Sequence, residues 1–513
     1  MRKNEADHNE YVDPFSIQAK ELALSFDEAT DENDLDRLEA LLDKAQKLVL
    51  SENEPSQAYI FYSIGTAYSD FSKLKGISFQ ESVKKRLYFF RKSIGIIEKD
   101  EYNDKLYEPY ILGFKEILYT NYANALDECG RKIAAIDYLK KVLAINDSFG
   151  MALGNLGRTY QHYADLEFDK THRDIFHHFA YRCFVKALKS DDPNTHQEAK
   201  KLFQSRIDCY DSEYVDKVLK PKWHFSQFSY DDPDEYVYRK WCLNHGLFLN
   251  TLNDLPVAES CFMADVLQLP DMITDINSKP VFHGMFSQLK QEYIYARYLY
   301  YKSMRVFAEP LYADKETYIL SYTDYAQYSI RLEQLKTSFK TLYSIFDKIA
   351  YFINYYFDLG IKEHDITFRS IWYEEGGHGK NKYQYKNTLD SKSNFALATL
   401  YWINKDFYDS FENSPNPELK RIKEIRNALE HKYVKIYASF ADPVLNDISD
   451  GLALYISEEE LAEVTMQLLK ILREAIISLS LSVNIAEKPK REETKDNLIV
   501  PMSLMEYEDD WKI

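Results

Sequence analysis

The sequence predicts an all-α protein, and three observations carry that prediction. Gly and Pro number only 15 each in 513 residues, well below the roughly 7% and 5% of average chains, which disfavours turn-rich β folds and low-complexity disorder. Apolar residues recur at helical spacing in most segments, as amphipathic helices require. Helix punctuation is also present: Gly360 as a stop, Asn416-Pro417-Glu418 as cap, first-turn proline and first-turn acid, and Ser457 with Glu460 as a capping box.

From the N-terminus, residues 1–15 form an acidic segment. Residues 1–54 hold 15 Asp/Glu and 6 Lys/Arg, a net of −9, which is half of the chain's −18. Such a balance excludes a protein that coats DNA or an anionic membrane, because either needs broad basic surface. Residues 16–220 carry a repeat. Gly130, Ala135 and Leu139 stand where a helix–helix turn and its second helix need small and apolar residues, and Leu156, Gly157 and Tyr160 begin another unit. The register from 116 to 150 is about 34 residues, a period that marks stacked helix pairs. RLYFFRKSIGI (86–96), AIDYLKKVLAI (135–145) and AYRCFVKALKS (180–190) align as second helices, with SIGTAYSDF (63–71) and NLGRTYQHY (155–163) as first helices. This segment resembles a degenerate tetratricopeptide (TPR) array, in which stacked helix pairs share a core and present a groove to a protein or peptide partner.

Residues 221–320 read as a helical connector, broken by Pro221, Pro233, Pro256, Pro270 and Pro280. Its tyrosines in 291–304, and those of 322–330, sit at a spacing that suits packing with a wet hydroxyl edge. Residues 321–486 predict four helices, at about 324–360, 394–412, 417–440 and 457–486, a bundle with one long first loop. The tail, 487–513, is charged up to an apolar stretch, Leu498 to Met505, expected to dock. Five cysteines without a Cys-x-x-Cys indicate neither a disulfide framework nor a thiolate metal site. With no signal peptide and no apolar stretch of about 18 residues, the expectation is a cytoplasmic protein without membrane contact.

The chemistry concentrates in residues 417–440. On a helical projection Leu419, Ile422, Ile425, Leu429, Tyr433 and Ile436 fall within an arc of about 80°, a core stripe. Asn427 and His431 project roughly 160° from its centre, beside Lys420 and Lys423, and Arg426 lies about 60° off it. Residues 416–440 hold six Lys/Arg and three Asp/Glu, a local +3. Arginine, asparagine and histidine on one surface suit cleavage of RNA phosphodiesters without a metal. Histidine moves protons near working pH, arginine binds non-bridging oxygens as charge builds, and asparagine orients either. No carboxylate cluster or Cys/His set is present to hold a cation, and no cofactor is expected.

Arg426-Asn427-Ala428-Leu429-Glu430-His431 resembles the R-N-x-x-x-H signature of HEPN domains, on the third helix of a four-helix bundle. Residues 331–361, 368–375 and 396–411 are similar to the HEPN subfamily fused behind TPR-like repeats in prokaryotes. The resemblance implies a metal-independent endoribonuclease of toxin or phage-defence type, acting as a homodimer whose two Arg/His sets face one cleft. It makes Arg426 and His431 catalytic and Asn427 supportive, with Lys420 and Lys423 as RNA contacts. The motif extends through Tyr433, a tyrosine that some HEPN toxins have modified by a nucleotidyltransferase antitoxin; its place on the core stripe favours packing. An inactive HEPN domain in a protein-interaction scaffold is the alternative. Elsewhere, Gly376-Gly377-His378-Gly379-Lys380 lacks phosphate-loop register, and His172, His177 and His178 have no metal-site context.

Overall fold

The computed structural model describes residues 11–512 except 77, 100–101, 103, 276, 306–308, 321–323, 376–382, 386–392, 409–416, 439–449 and 495–498. The protein is all-α, with short strands confined to its C-terminal third. Four helix pairs come first: α1 (Ile17–Asp31) with α2 (Leu35–Leu48), α3 (Glu54–Lys75) with α4 (Phe79–Ile97), α5 (Glu108–Glu128) with α6 (Lys132–Ile145), and α7 (Gly150–Leu166) with α8 (Lys170–Lys189). Within each pair three residues join the helices, a link short enough to force antiparallel packing. Ser16, Asp34, Ser78 and Asp169 cap α1, α2, α4 and α8 by accepting the N–H of Ala19, Arg37, Glu81 and His172. α9 (Gln197–Asp208) closes against α8. The sequence-aligned segments 86–96, 135–145 and 180–190 lie on α4, α6 and α8.

Two glycines mark close approaches, one between the array and α14 (Phe395–Tyr408) and one within the α7–α8 pair. Gly130, in the α5–α6 turn, has φ +92°, and a Cβ there would stand 2.6 Å from the carbonyl oxygen of Phe395. A Cβ on Gly157 would stand 2.8 Å from the Phe184 ring. Phe15, at the end of the acidic segment, is buried against Tyr59 and Phe114 at ring distances of 5.1 and 5.2 Å.

α10 (Ser212–Tyr214) closes the array segment, and the connector contains α11 (Pro233–Asn244) and single turns at Thr251–Asp254 and Ser260–Phe262, before α12 (Val281–Ser303). On α12 Tyr293, Tyr300 and Tyr301 are buried while Tyr295 and Tyr298 are exposed, the packing arrangement expected of them. His172, His177 and His178 meet Thr251, the Tyr210 hydroxyl and the Leu219 carbonyl; their roles are structural.

α13 (Ile330–Tyr356), α14 (Phe395–Tyr408), α15 (Pro417–His431) and α16 (Glu458–Glu493) form the bundle, with α13 and α14 each packed on both α15 and α16. Its edges differ from the expectation. Residues 326–327 are a strand, β1 (Ala326–Gln327), and α13 starts only at Ile330, where Ser329 caps the N–H of Leu332. α13 stops before Gly360: Asp358 takes φ +50° and the Leu359 N–H closes on the Asn354 carbonyl. A hairpin, β2 (Tyr373–Glu375) and β3 (Tyr383–Tyr385), interrupts the long loop, and Gly376–Lys380 lies outside the described residues.

The helix expected over 417–440 ends at His431. Residues beyond it form β4 (Val434–Tyr437), which pairs antiparallel with β1 and parallel with β5 (Leu454–Ser457). Backbone partners on both sides, and a buried Lys435 held by Asp324, Asp450 and the Tyr455 hydroxyl, outweigh the helical periodicity. α16 runs past the expected end at 486, through Pro489, because buried Glu487 accepts from the Tyr356 hydroxyl, the Ile273 N–H and Lys490. Ile499, Val500, Met502 and Met505 are exposed, so the described part of the tail does not dock its apolar stretch.

Array, connector and bundle share one core that extends from Phe15 to Val483, while α1, α2 and part of α3 have a second. Charged side chains cross the junction. Arg91 of α4 and Arg131 at the α6 start converge on Asp406 of α14 at 2.7 and 2.8 Å, and Arg131 also reaches Glu474 of α16 at 2.7 Å. Thr399 donates to the Gly130 carbonyl at 2.8 Å. Arg473 binds Asp254 at 2.6 Å and the carbonyls of Phe248 and Asn250. Among the described residues no helix is long and apolar enough to cross a membrane.

Candidate functional site

α15 buries Ile422, Ile425 and Ala428, and Leu429 packs partly into the same core. These residues set the rotation of the helix about its axis, and so decide where Arg426, Asn427 and His431 point. The remainder of the expected stripe does not hold. Ile436 is buried, but from β4, and Tyr433 lies beyond the helix with 48% of its surface exposed. Tyr433 hydrogen-bonds Tyr328, and the Lys435 amine stands 5.2 Å from its ring. Core packing therefore does not account for Tyr433.

Arg426 turns inward along its own chain. Its guanidinium lies over the buried Tyr343 ring of α13, 5.3 Å from the centroid, and Nη1 donates to the Asn427 side-chain oxygen at 3.1 Å. Asn427 is half-buried rather than on an open face. His431 is exposed, as the last residue of α15. Only two residues separate it from β4, so strand pairing on both edges of β4 holds the helix end that carries it. The side chain of Lys420 lies outside the described residues.

Lys423 is half-buried, and its amine sits below the ordinary lysine value through burial and the proximity of Arg369 and Arg426. Asp347 of α13 accepts the Phe368 N–H at 2.9 Å; burial raises its carboxyl, against that bond and the pull of Arg426. The site is thus a basic corner, Lys423, Arg426 and Arg369, beside one half-buried acid. Arg369, Tyr343 and Asp347 were invisible to sequence reasoning. They lie far upstream of α15 in the chain, and only the fold of α13 and the loop after it brings them there.

Chemically, the corner offers fixed guanidinium donors, an amide that orients one of them, and an imidazole open to solvent. Residues 273–486 match the family model described as LA2681-like HEPN. The match supports a C-terminal HEPN domain, and it takes in α12 as well as the four bundle helices. No curated protein and no solved structure matches the chain. Arg426, Asn427 and His431 all lie on α15, the first two half-buried and His431 exposed. Arg426 and His431 are five positions apart, which on a helix is about 140° of rotation and about 7.5 Å of rise, and no hydrogen bond links them among the described contacts.

Proposed function

We propose that this protein is a metal-independent endoribonuclease of toxin or phage-defence type, with its HEPN domain acting as a homodimer under control of the TPR-like array. The observation that carries the reading is the Arg426–Asn427 hydrogen bond over Tyr343 beside an open His431. It supplies a preorganised cation and, on another side of the same helix, a proton-transfer group. A second copy of the chain would set its His431 against the first copy's Arg426, overcoming the angular offset between them on one helix.

In this reading His431 takes the proton from a ribose 2′-OH. The 2′-oxygen attacks the adjacent phosphorus, the P–O5′ bond breaks, and the departing O5′ takes a proton from the imidazolium, leaving a 2′,3′-cyclic phosphate and a 5′-OH. Arg426 stabilises the charge gathered on the non-bridging oxygens, and Lys423, with Lys420, grips neighbouring phosphates. DNA, which lacks the nucleophile, is inert.

The test is incubation of the purified chain with RNA in the presence of chelator. Cleavage to cyclic-phosphate ends that disappears in His431→Ala supports the reading. Cleavage that needs added metal, or persists in His431→Ala, overturns it. The scaffold alternative expects cellular phenotype and partner binding to survive both Arg426→Ala and His431→Ala. An antitoxin acting at Tyr433, which is exposed, is compatible with the nuclease and is judged by mass spectrometry of Tyr433.

A further inference from the structure

Away from α15, the junction between array and bundle encloses a cavity of about 1020 Å³. Its walls come from α4 and α6, from the connector around Asn253–Ala258, and from α16 around Gln467–Glu474. Seven Lys/Arg against four Asp/Glu line it, a local +3 inside a chain of −18.

Most of that charge is spoken for. Arg91 and Arg131 are matched by Asp406 and Glu474, Arg473 by Asp254, and Lys141 by Glu98 at 3.1 Å. Lys92, which lies over the Phe61 and Tyr88 rings, and Lys140 and Lys470 are not matched in this way, and Asp137 is the one lining acid outside these pairs. The Lys140 amine has one hydrogen-bond acceptor, the Leu255 carbonyl at 3.1 Å. Lys470, exposed on α16, makes no hydrogen bond or ion pair among the described residues. Burial holds the Lys140 amine below its ordinary value; Asp137 and then Asp254 oppose it, and the smaller repulsions of Arg473 and Lys470 add to it. Like charges gathered from two different helices into one recess cost free energy unless an anion joins them. An ammonium has three donors, and here at least two per lysine are left to a ligand.

The remaining walls are apolar, with Leu255, Pro256 and Val257 on one side and Ile471 on another. That mixture, and a volume at the upper end of the roughly 300–1,000 Å³ of small-molecule sites, exceeds the needs of a lone phosphate. We propose that this cavity binds a polyphosphate-bearing small molecule of nucleotide size, whose phosphates bridge Lys140 of the array and Lys470 of the bundle. The site is separate from α15 and does not depend on the nuclease reading. A ligand there ties α6 to α16, and so couples the array to the last helix of the HEPN domain.

The experiment is calorimetric titration of the full chain with ATP, with inorganic tripolyphosphate and with adenosine, on wild type, Lys140→Gln, Lys470→Gln and Arg426→Ala. ATP is expected to bind saturably. Affinity should fall about tenfold or more in each lysine variant, as loss of a charge-assisted contact implies, and stay unchanged in Arg426→Ala. Tripolyphosphate binding that matches ATP points to the phosphates alone; weaker binding points to a nucleotide. Thermal melts separate the site from a structural role, since Lys470→Gln should leave the ligand-free melting temperature unchanged or raised. Absence of binding by both phosphates, equal binding in wild type and lysine variants, loss in Arg426→Ala, or adenosine binding as tightly as ATP overturns the proposal.

Discussion

At the junction Arg91, Arg131, Asp406 and Glu474 are joined to one another, away from water, by ion pairs of 2.7 and 2.8 Å. On α15, Arg426 is half-buried with an amide and a ring for partners, and His431 stands in solvent. The contrast separates two uses of charge. Matched charges away from water fix how two bodies meet, and removing one partner is strongly destabilising because the other stays buried. Incompletely matched charges at an open edge contribute little to folding and remain available to a substrate.

The largest expected effect lies on the open side of that comparison. His431→Ala should lower RNA cleavage by about 10²–10⁴, the range of acid–base catalysis, with the melting temperature unchanged; a variant that loses stability instead would move His431 into the structural class. Asp406→Ala should do the reverse. It leaves the Arg91 guanidinium without a carboxylate and Arg131 with Glu474 alone, and should cost about 3–5 kcal/mol in urea unfolding. A loss under about 1 kcal/mol, the size of an exposed pair, would show that the junction is not held as described.

A smaller effect sharpens the buried side. Glu167, in the α7–α8 turn, has its carboxyl raised to about 8, first by burial, with Thr251 opposing and Asp169 and Asp254 adding. Its folded value lies above the ordinary 4.5, so its stabilising contribution is full below that ordinary value and is lost as pH rises through about 8. Glu167→Gln should therefore gain melting temperature over wild type as pH is raised from about 5 to about 9, and a constant difference would refute the assignment. The smallest effect belongs to Lys423→Gln. It should raise KM for RNA a few-fold and reduce the salt dependence of binding by about one charge, while leaving kcat near wild type.

The helices of the array and bundle were legible because their signals are local. Ser457 caps α16 through the Glu460 N–H, Pro417 opens α15, and Ile422 and Ile425 are fully buried, as their spacing requires. Arg426, Asn427 and His431 could be read together for the same reason, since they lie within six positions of one helix. Where that helix ends was not. Val434 to Tyr437 fits a helical projection, yet pairs with two strands distant in sequence, Ala326–Gln327 before α13 and Leu454–Ser457 before α16. Tyr433 accordingly moved from an expected core position to the surface. Arg369 and Asp347 gave no local signal at all, and neither did the cavity, whose walls come from stretches of chain far apart in sequence.

By itself, then, the sequence determined the all-α class, the apolar faces and the identity of the groups that could carry chemistry, since periodicity and capping depend on residues within a turn or two of one another. Tertiary structure decided which charges are consumed and which are left open. Asp406 and Glu474 look no different from surface acids in sequence, and only the convergence of α4, α6, α14 and α16 places them against Arg91 and Arg131. The reason is physical: the worth of a charge depends on burial and on partners within a few ångströms, and both are properties of the packed chain.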